Sequence, residues 1–421
     1  VGQFNHGFRT PSSIFYLNSL FFLPKAEFYL FNFSSIYFLG FANIYFLKKI
    51  LFFLNEMKNK INKIYINNYT TYLSLFLFAF INIFFYRIGE HGTDRSAQIL
   101  IFILITLILE CFHQNNEKKI DLIFIYCLLG IIISLKAFYI LYLIIFIPFF
   151  FYIYEKKKKL ISTLKYFFIN KIFIFLFLLM FFIFGNYFIN TGCLIYPFEF
   201  TCLTNLQWNS KEIASNLLLA TEASTKSFDQ YKGIMNNSEY IDNFKWFGTW
   251  FSRNVQELTN YIVTITFVLV FLLVSSKLKR NKKKITSFEI IIFLLFIVNL
   301  IFFLKSPVIR YHHMLFVCLA LALVIITKKL FIKKIIIFNI ILLLCISFNY
   351  IKNTVRIYKS NFYNDPYEHI KKIEWYRFPV EKKIGNFKYY NGWIDKHPIG
   401  NMTLDEYKHK KKFGFDIIYK E

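Results

Sequence analysis

Apolar runs bounded by short charged segments govern what this chain can fold into. Several are about 17 to 24 residues long, enough to cross a hydrocarbon layer as helices. Composition agrees: only 18% of the residues are charged while 56% are hydrophobic and 22% aromatic. A soluble chain carries about a quarter charged residues. The expected fold class is therefore an all-α polytopic transmembrane bundle of about ten helices. The runs fall near 28–47, 71–88, 97–113, 120–135, 138–154, 166–189, 259–276, 287–304, 311–327 and 334–350. Lys136 interrupts the stretch 120–154 and marks the turn of a tight hairpin.

Charge assigns sides. Lys48, Lys49, Lys58, Lys60 and Lys63 follow the first run, Lys118 and Lys119 the third, and Lys156 to Lys159 the fifth. Lys277, Lys279, Arg280 and Lys282 to Lys284 follow the seventh, and Lys328, Lys329, Lys333 and Lys334 the ninth. Every second loop is basic, which places these loops in the cytoplasm. The net charge of +25 thus sits between spans, and no nucleic-acid partner is expected. The other face receives an N-terminal segment 1–27, the loop 87–96, the Lys136 turn, a long loop 190–258 and the loop 305–310. A C-terminal tail 351–421 follows the transmembrane domain 28–350, on the outward side by parity. Val1 opens without a basic, then apolar, leader, which reads as the start of a fragment.

The chemistry-bearing residues collect on that outward face. The loop 87–96 holds Glu90, His91, Asp94 and Arg95, two acids at a bilayer edge. Asp94 is placed either to cap the third span or to act as a base or cation partner. Lys136 either snorkels at a hairpin tip or binds a lipid phosphate. In 305–313, Pro307 breaks a helix, and Arg310 offers a bidentate fork to phosphate or a plain interfacial anchor. Tyr311 either stacks on a sugar or anchors at the interface. His312 and His313 are adjacent and cannot both face one site. Cys193 and Cys202 share one outward loop and form either a disulfide or two free thiols. Cys111, Cys127, Cys318 and Cys345 lie in apolar runs as core residues. No zinc spacing, P-loop, dinucleotide fingerprint, Gly-x-Ser-x-Gly or HExxH occurs.

Gly192 with Tyr196-Pro197, Asp94 in Thr93-Asp94-Arg95-Ser96-Ala97-Gln98, and Pro307 with Arg310-Tyr311 stand in the order of motifs in GT-C-class glycosyltransferases. These polytopic proteins take sugars from polyprenyl-phosphate donors. Asn5-His6-Gly7-Phe8-Arg9 through Ser12-Ser13, with Ser134-Leu135-Lys136, resembles an uncharacterised bacterial envelope family of that layout. The resemblance implies a multi-pass protein of the bacterial inner membrane, active face outward, moving a sugar to an envelope glycan or lipid. Its family's first acidic loop would precede residue 1. That loop would carry the catalytic base, so Asp94 stands as the second acidic group; within this sequence Asp94 and Glu90 are the catalytic carboxylates implied, and Lys136, Arg310, Tyr311, His6, Arg9 and Tyr196 the substrate-binding residues. The partners implied are membrane lipids and a lipid-linked sugar. No cofactor is fixed, although the carboxylates leave room for a divalent metal. A lipid-linked oligosaccharide polymerase or ligase, and a multi-span transporter or flippase, are the alternatives.

Overall fold

A computed structural model of the chain describes residues 12–21, 33–59, 69–85, 93–114, 119–169, 171–196, 198–206, 211–233, 235–242, 244–278, 287–326, 330–332, 335–359, 380–384, 387–391, 399–400, 408–412 and 415–419. The described chain is predominantly helical and divides into two compact units, 1–350 and 351–421.

The first unit runs through α1 (Ser13–Ser19), α2 (Phe33–Asn59), α3 (Tyr69–Phe84), α4 (Thr93–Gln114) and α5 (Lys119–Leu135). A nine-residue 3-10 helix, Ala137–Ile145, leads directly into α6 (Phe146–Lys157). Then come α7 (Leu160–Phe168), α8 (Lys171–Thr191), α9 (Lys211–Thr225), α10 (Asn237–Asp242) and α11 (Trp246–Ser275). The unit continues with α12 (Ser287–Lys305), α13 (His313–Ile326) and α14 (Ile335–Lys359), the last of which crosses into the second unit. Short strands β1 (Ser276–Leu278) and β2 (Leu330–Ile332) pair antiparallel after α11 and α13.

Burial separates centre from rim. In α3 every residue from Thr71 to Ile81 is buried, and in α4 those from Ser96 to Thr106. A helix apolar on all sides needs either neighbours all round or lipid. These two have neighbours: α2 packs on both, and α4 also packs on α5. By contrast α8, seated on α5, exposes Ile174, Phe175, Phe177, Phe181 and Phe182. The 3-10 helix follows its own period of three, in which side chains at i and i+3 eclipse. Tyr139, Tyr142 and Ile145 accordingly form one buried stripe, and the Tyr142 hydroxyl donates to Asn299 Oδ1 of α12 at 3.1 Å.

Among the described residues three segments are long and apolar enough to cross a membrane: Phe33–Asn55, Ala137–Glu155 and Phe173–Thr191. Thr70–Phe84 and Phe124–Leu135 are shorter apolar helices. The expected loop 190–258 is largely helical, carrying α9, α10 and the start of α11, because 246–258 continues the helical phase of the run behind it. The expected single run 166–189 is divided between α7 and α8.

The second unit, the expected C-terminal tail, is of another class from the helical bundle. Beyond the end of α14 it carries β3 (Val380–Ile384), β4 (Phe387–Asn391) and β5 (Ile399–Gly400) in one sheet, with β4 and β5 parallel. An antiparallel pair, β6 (Lys408–Lys412) and β7 (Phe415–Tyr419), follows.

Candidate functional site

Three breaks in helical structure bring the expected charges together. Asp94 lies in the first turn of α4, inside the helix rather than capping it, where the helix dipole favours a carboxylate. Lys136 occupies the extended residue between α5 and the 3-10 helix. Arg310 sits in the 3-10 turn Ile309–Tyr311, after α12 stops at Lys305, two residues before Pro307.

The Lys136 ammonium bonds Asp94 Oδ1, and Arg310 Nε stands 3.7 Å from Asp94 Oδ2. Lys136 Nζ also lies 3.6 Å from the centre of the Tyr311 ring, a cation–π contact. One carboxylate thus serves two cations, and exposure grades their roles. The Asp94 side chain is 11% exposed, Lys136 25% and Arg310 56%. With its cation exposed and Lys136 also on the carboxylate, the longer Arg310–Asp94 pair contributes about 1 kcal/mol or less to stability, so the arginine can exchange partners at small cost. Burial works against the Arg310 charge, but Tyr311, Asp94 and Glu257 together hold its pKa above the usual value.

Beneath this cluster lies a buried neutral network. Gln98, one turn beyond Asp94 on the same face of α4, donates to the Tyr139 hydroxyl at 2.8 Å and to the Arg310 carbonyl. Its side-chain oxygen accepts from His313 Nδ1. That bond fixes the proton on Nδ1 and leaves Nε2 of the neutral ring to accept from the Tyr261 hydroxyl, 2.6 Å away. Four elements are therefore tied to the backbone of Arg310. His312 turns the other way, to the Ser306 carbonyl at 3.0 Å, as adjacent positions require.

The N-terminal Ser-Ser element completes the surroundings. Ser12 donates to the Leu135 carbonyl, and the Ser13 and Ser134 hydroxyls are 2.8 Å apart, just before Lys136. The expected site residues His6, Arg9 and Glu90 lie outside the described residues.

Tyr196 is elsewhere. It is buried beside Cys193 and Ala214 in a small cluster of its own, so its ring offers little surface to a ligand. Cys193 and Cys202 are joined by a disulfide, with Cα atoms 3.8 Å apart. Gly192 ends α8 at φ 73°, a left-handed turn that favours glycine, and its carbonyl accepts from Leu203 at 3.0 Å. Outside the disulfide, Cys318 is buried as a core residue, but Cys111 is half-buried and Cys127 exposed, because Cys127 lies on the outer side of α5. Among the described residues no three His, Cys, Asp or Glu side chains converge as a metal site.

A second ion cluster lies in the former long loop. Glu222 of α9 bonds Lys226 at 2.7 Å and meets Lys305 at 3.7 Å, while Lys226 lies under Trp246, 4.9 Å from the ring centre. Trp250 donates to the Pro307 carbonyl at 2.6 Å. The segment carrying Arg310 is thus held from α11 as well as from α4.

Sequence reasoning overlooked Gln98, Tyr139, Tyr261 and Glu257. Two spacings of four signalled three of them, Asp94 to Gln98 and Glu257 to Tyr261 on α11; Tyr139 had no such signal. Glu257 is exposed yet feels the charges of Arg95 and Arg310.

No curated protein and no solved structure matches the chain. The family model described as Domain of unknown function (DUF8201) matches residues 12–317, from the Ser12 cap through Asp94, Lys136 and Arg310 into α13. The chain belongs to the DUF8201 family.

Proposed function

We propose that this protein is a polytopic membrane glycosyltransferase-like enzyme that takes a sugar from a polyprenyl-phosphate donor at the outward face of a bacterial inner membrane. One observation carries the reading: a single carboxylate, Asp94, restrains two cations, Lys136 and Arg310, beside the Tyr311 ring at the ends of apolar helices. The cluster carries an excess of positive charge. A phosphate group replaces water on Arg310 as a bidentate partner, Lys136 adds a second contact, and Tyr311 offers a face to the sugar. Asp94 keeps both cations oriented between turnovers, and their charge stabilises the phosphate as it leaves the anomeric carbon.

Ten spans with their basic loops on one side belong to this reading, and three apolar helices long enough to cross a membrane support it. Loops assigned by charge parity to one side meet in space: those after α11 and α13 pair as β1 and β2, while Asp94, Lys136 and Arg310 meet from the opposite set. The exposed Phe and Ile face of α8 suits lipid rather than water. The Cys193–Cys202 disulfide favours an oxidising compartment for its loop.

The test is binding of a long-chain polyprenyl phosphate by the purified full chain in detergent. Native protein is expected to bind, with Arg310→Ala and Lys136→Ala each about tenfold to a hundredfold weaker, since a charge-assisted hydrogen bond contributes about 1.5–3 kcal/mol. Equal binding by native protein and Arg310→Ala rejects the reading.

A further inference from the structure

Donor phosphate and acceptor hydroxyl need different partners, and Asp94 is poorly placed to serve both. Its two oxygens already face Lys136 and Arg310, and its side chain is 11% exposed. To take a proton it would have to release the two cations that hold the donor. Some other group has to accept the proton that the attacking hydroxyl gives up.

Glu257 meets that need. It lies one turn before Tyr261 on α11, and positions four apart share a helix face. Tyr261 is bonded to His313, which is bonded to Gln98, whose amide holds the Arg310 carbonyl. This face of α11 is thereby docked against the segment that carries Arg310. The Arg310 guanidinium experiences both Asp94 and Glu257. Of these two carboxylates, Asp94 is buried and engaged, whereas Glu257 is exposed to an incoming acceptor.

We infer that Glu257, rather than Asp94, is the carboxylate that takes the proton from the acceptor hydroxyl, an inference that rests on the sugar-transfer reading. The donor phosphate takes the water-facing side of Arg310, and the Glu257 carboxylate, exposed on the docked face of α11, is left open to the acceptor. The acceptor O–H proton passes to Glu257 as its oxygen forms a bond to that carbon. The bond from the carbon to the phosphate oxygen breaks, and the phosphate leaves with the electron pair, held by Arg310 and Lys136. The charge environment suits a base: desolvation raises the Glu257 pKa above the ordinary carboxylate value, against the opposing pull of Arg95 and Arg310.

The experiment uses the full chain in detergent with two readouts. One is affinity for a long-chain polyprenyl phosphate. The other is release of polyprenyl phosphate from a panel of hexosyl and pentosyl polyprenyl-phosphate donors incubated with cell-envelope extract as acceptor. Glu257→Gln keeps size and polarity at an exposed position. It is expected to bind the lipid phosphate as well as native protein or a few-fold better, because a competing anion is removed. Turnover should fall about a hundredfold or more, the usual scale for losing a general base. Glu257→Asp should recover part of that loss. Native-like turnover by Glu257→Gln overturns the role of Glu257 and leaves the transfer reading standing. Binding lost together with turnover in Glu257→Gln also overturns that role, since the carboxylate would then be organising the phosphate site. Native protein that binds the lipid but releases it from no donor overturns both the transfer reading and the role.

Discussion

Two clusters in this molecule are built to the same charge formula, one carboxylate between two cations, the farther cation exposed and 3.7 Å away in both, and they differ in how the nearer cation is held. Around Glu222 the main partner, Lys226, lies four residues on, just past the end of α9, and the two side chains are 10% and 5% exposed under the Trp246 ring. Around Asp94 the partners come from residues 136 and 310, and the cations are 25% and 56% exposed. A buried local pair is a brace, since its lysine cannot find another partner without unpacking its surroundings. A pair assembled from distant segments and open on its cationic side is suited to exchange. Identical charge counts therefore describe a fastener in one place and a socket in the other, and exposure distinguishes them.

The largest expected effect lies in the closed cluster. Lys226→Ala leaves the buried Glu222 with only the exposed Lys305, 3.7 Å away, and should cost about 3 kcal/mol. A lowered thermal midpoint in detergent reports it, with affinity for polyprenyl phosphate changing far less in the protein that remains folded. If that affinity collapses instead, the brace is part of the socket. Next is the loop that packs beside α9. Cys193→Ser with Cys202→Ser should cost about 2 kcal/mol, because the bridge closes a short loop, and leave lipid-phosphate affinity unchanged. Gln98→Leu breaks the network under Arg310 and takes the partner from the Arg310 carbonyl and from the His313 Nδ1–H, for about 1–2 kcal/mol. It should also weaken lipid-phosphate binding several-fold, although Gln98 touches no ligand. In the open cluster, Arg310→Ala should shift stability by about 1 kcal/mol or less. A larger loss there would make Arg310 a brace after all.

The smallest effect concerns pH. Glu257 has a folded-state pKa above its unfolded value, so the native state binds the extra proton. Stability is therefore greatest below the ordinary carboxylate pKa and declines as pH rises through the raised value. Glu257→Gln should remove that small decline, seen as a flatter plot of thermal midpoint against pH.

The three central charges were legible because each interrupts or borders an apolar run, where an ionisable group is costly and conspicuous. Parity of the basic loops then put them on one face. Gln98 was invisible by the same rule, being neutral and embedded in a run that otherwise reads as core. Glu257 was misread because its stretch looked like loop. The apolar pattern begins only near residue 259, while α11 begins at Trp246. Nor does periodicity separate a 3-10 helix from an α-helix over nine residues, so the Tyr139–Tyr142 stripe gave no warning. The sheets of the second unit were hidden by short, Lys-rich strands such as β6 that carry almost no apolar alternation.

The winding of residues 137–145 also sets a length. A 3-10 helix rises about 2.0 Å per residue and an α-helix about 1.5 Å, so nine residues reach about 18 Å rather than about 13.5 Å. With Ile145 joined directly to α6, the extra stretch of about 4 Å falls at the other end, under Lys136. Rewinding this segment as α-helix, with its far end fixed, would draw Lys136 away from Asp94 by more than the length of a hydrogen bond. The pitch of a stretch without a single charged side chain therefore determines whether the lysine arrives.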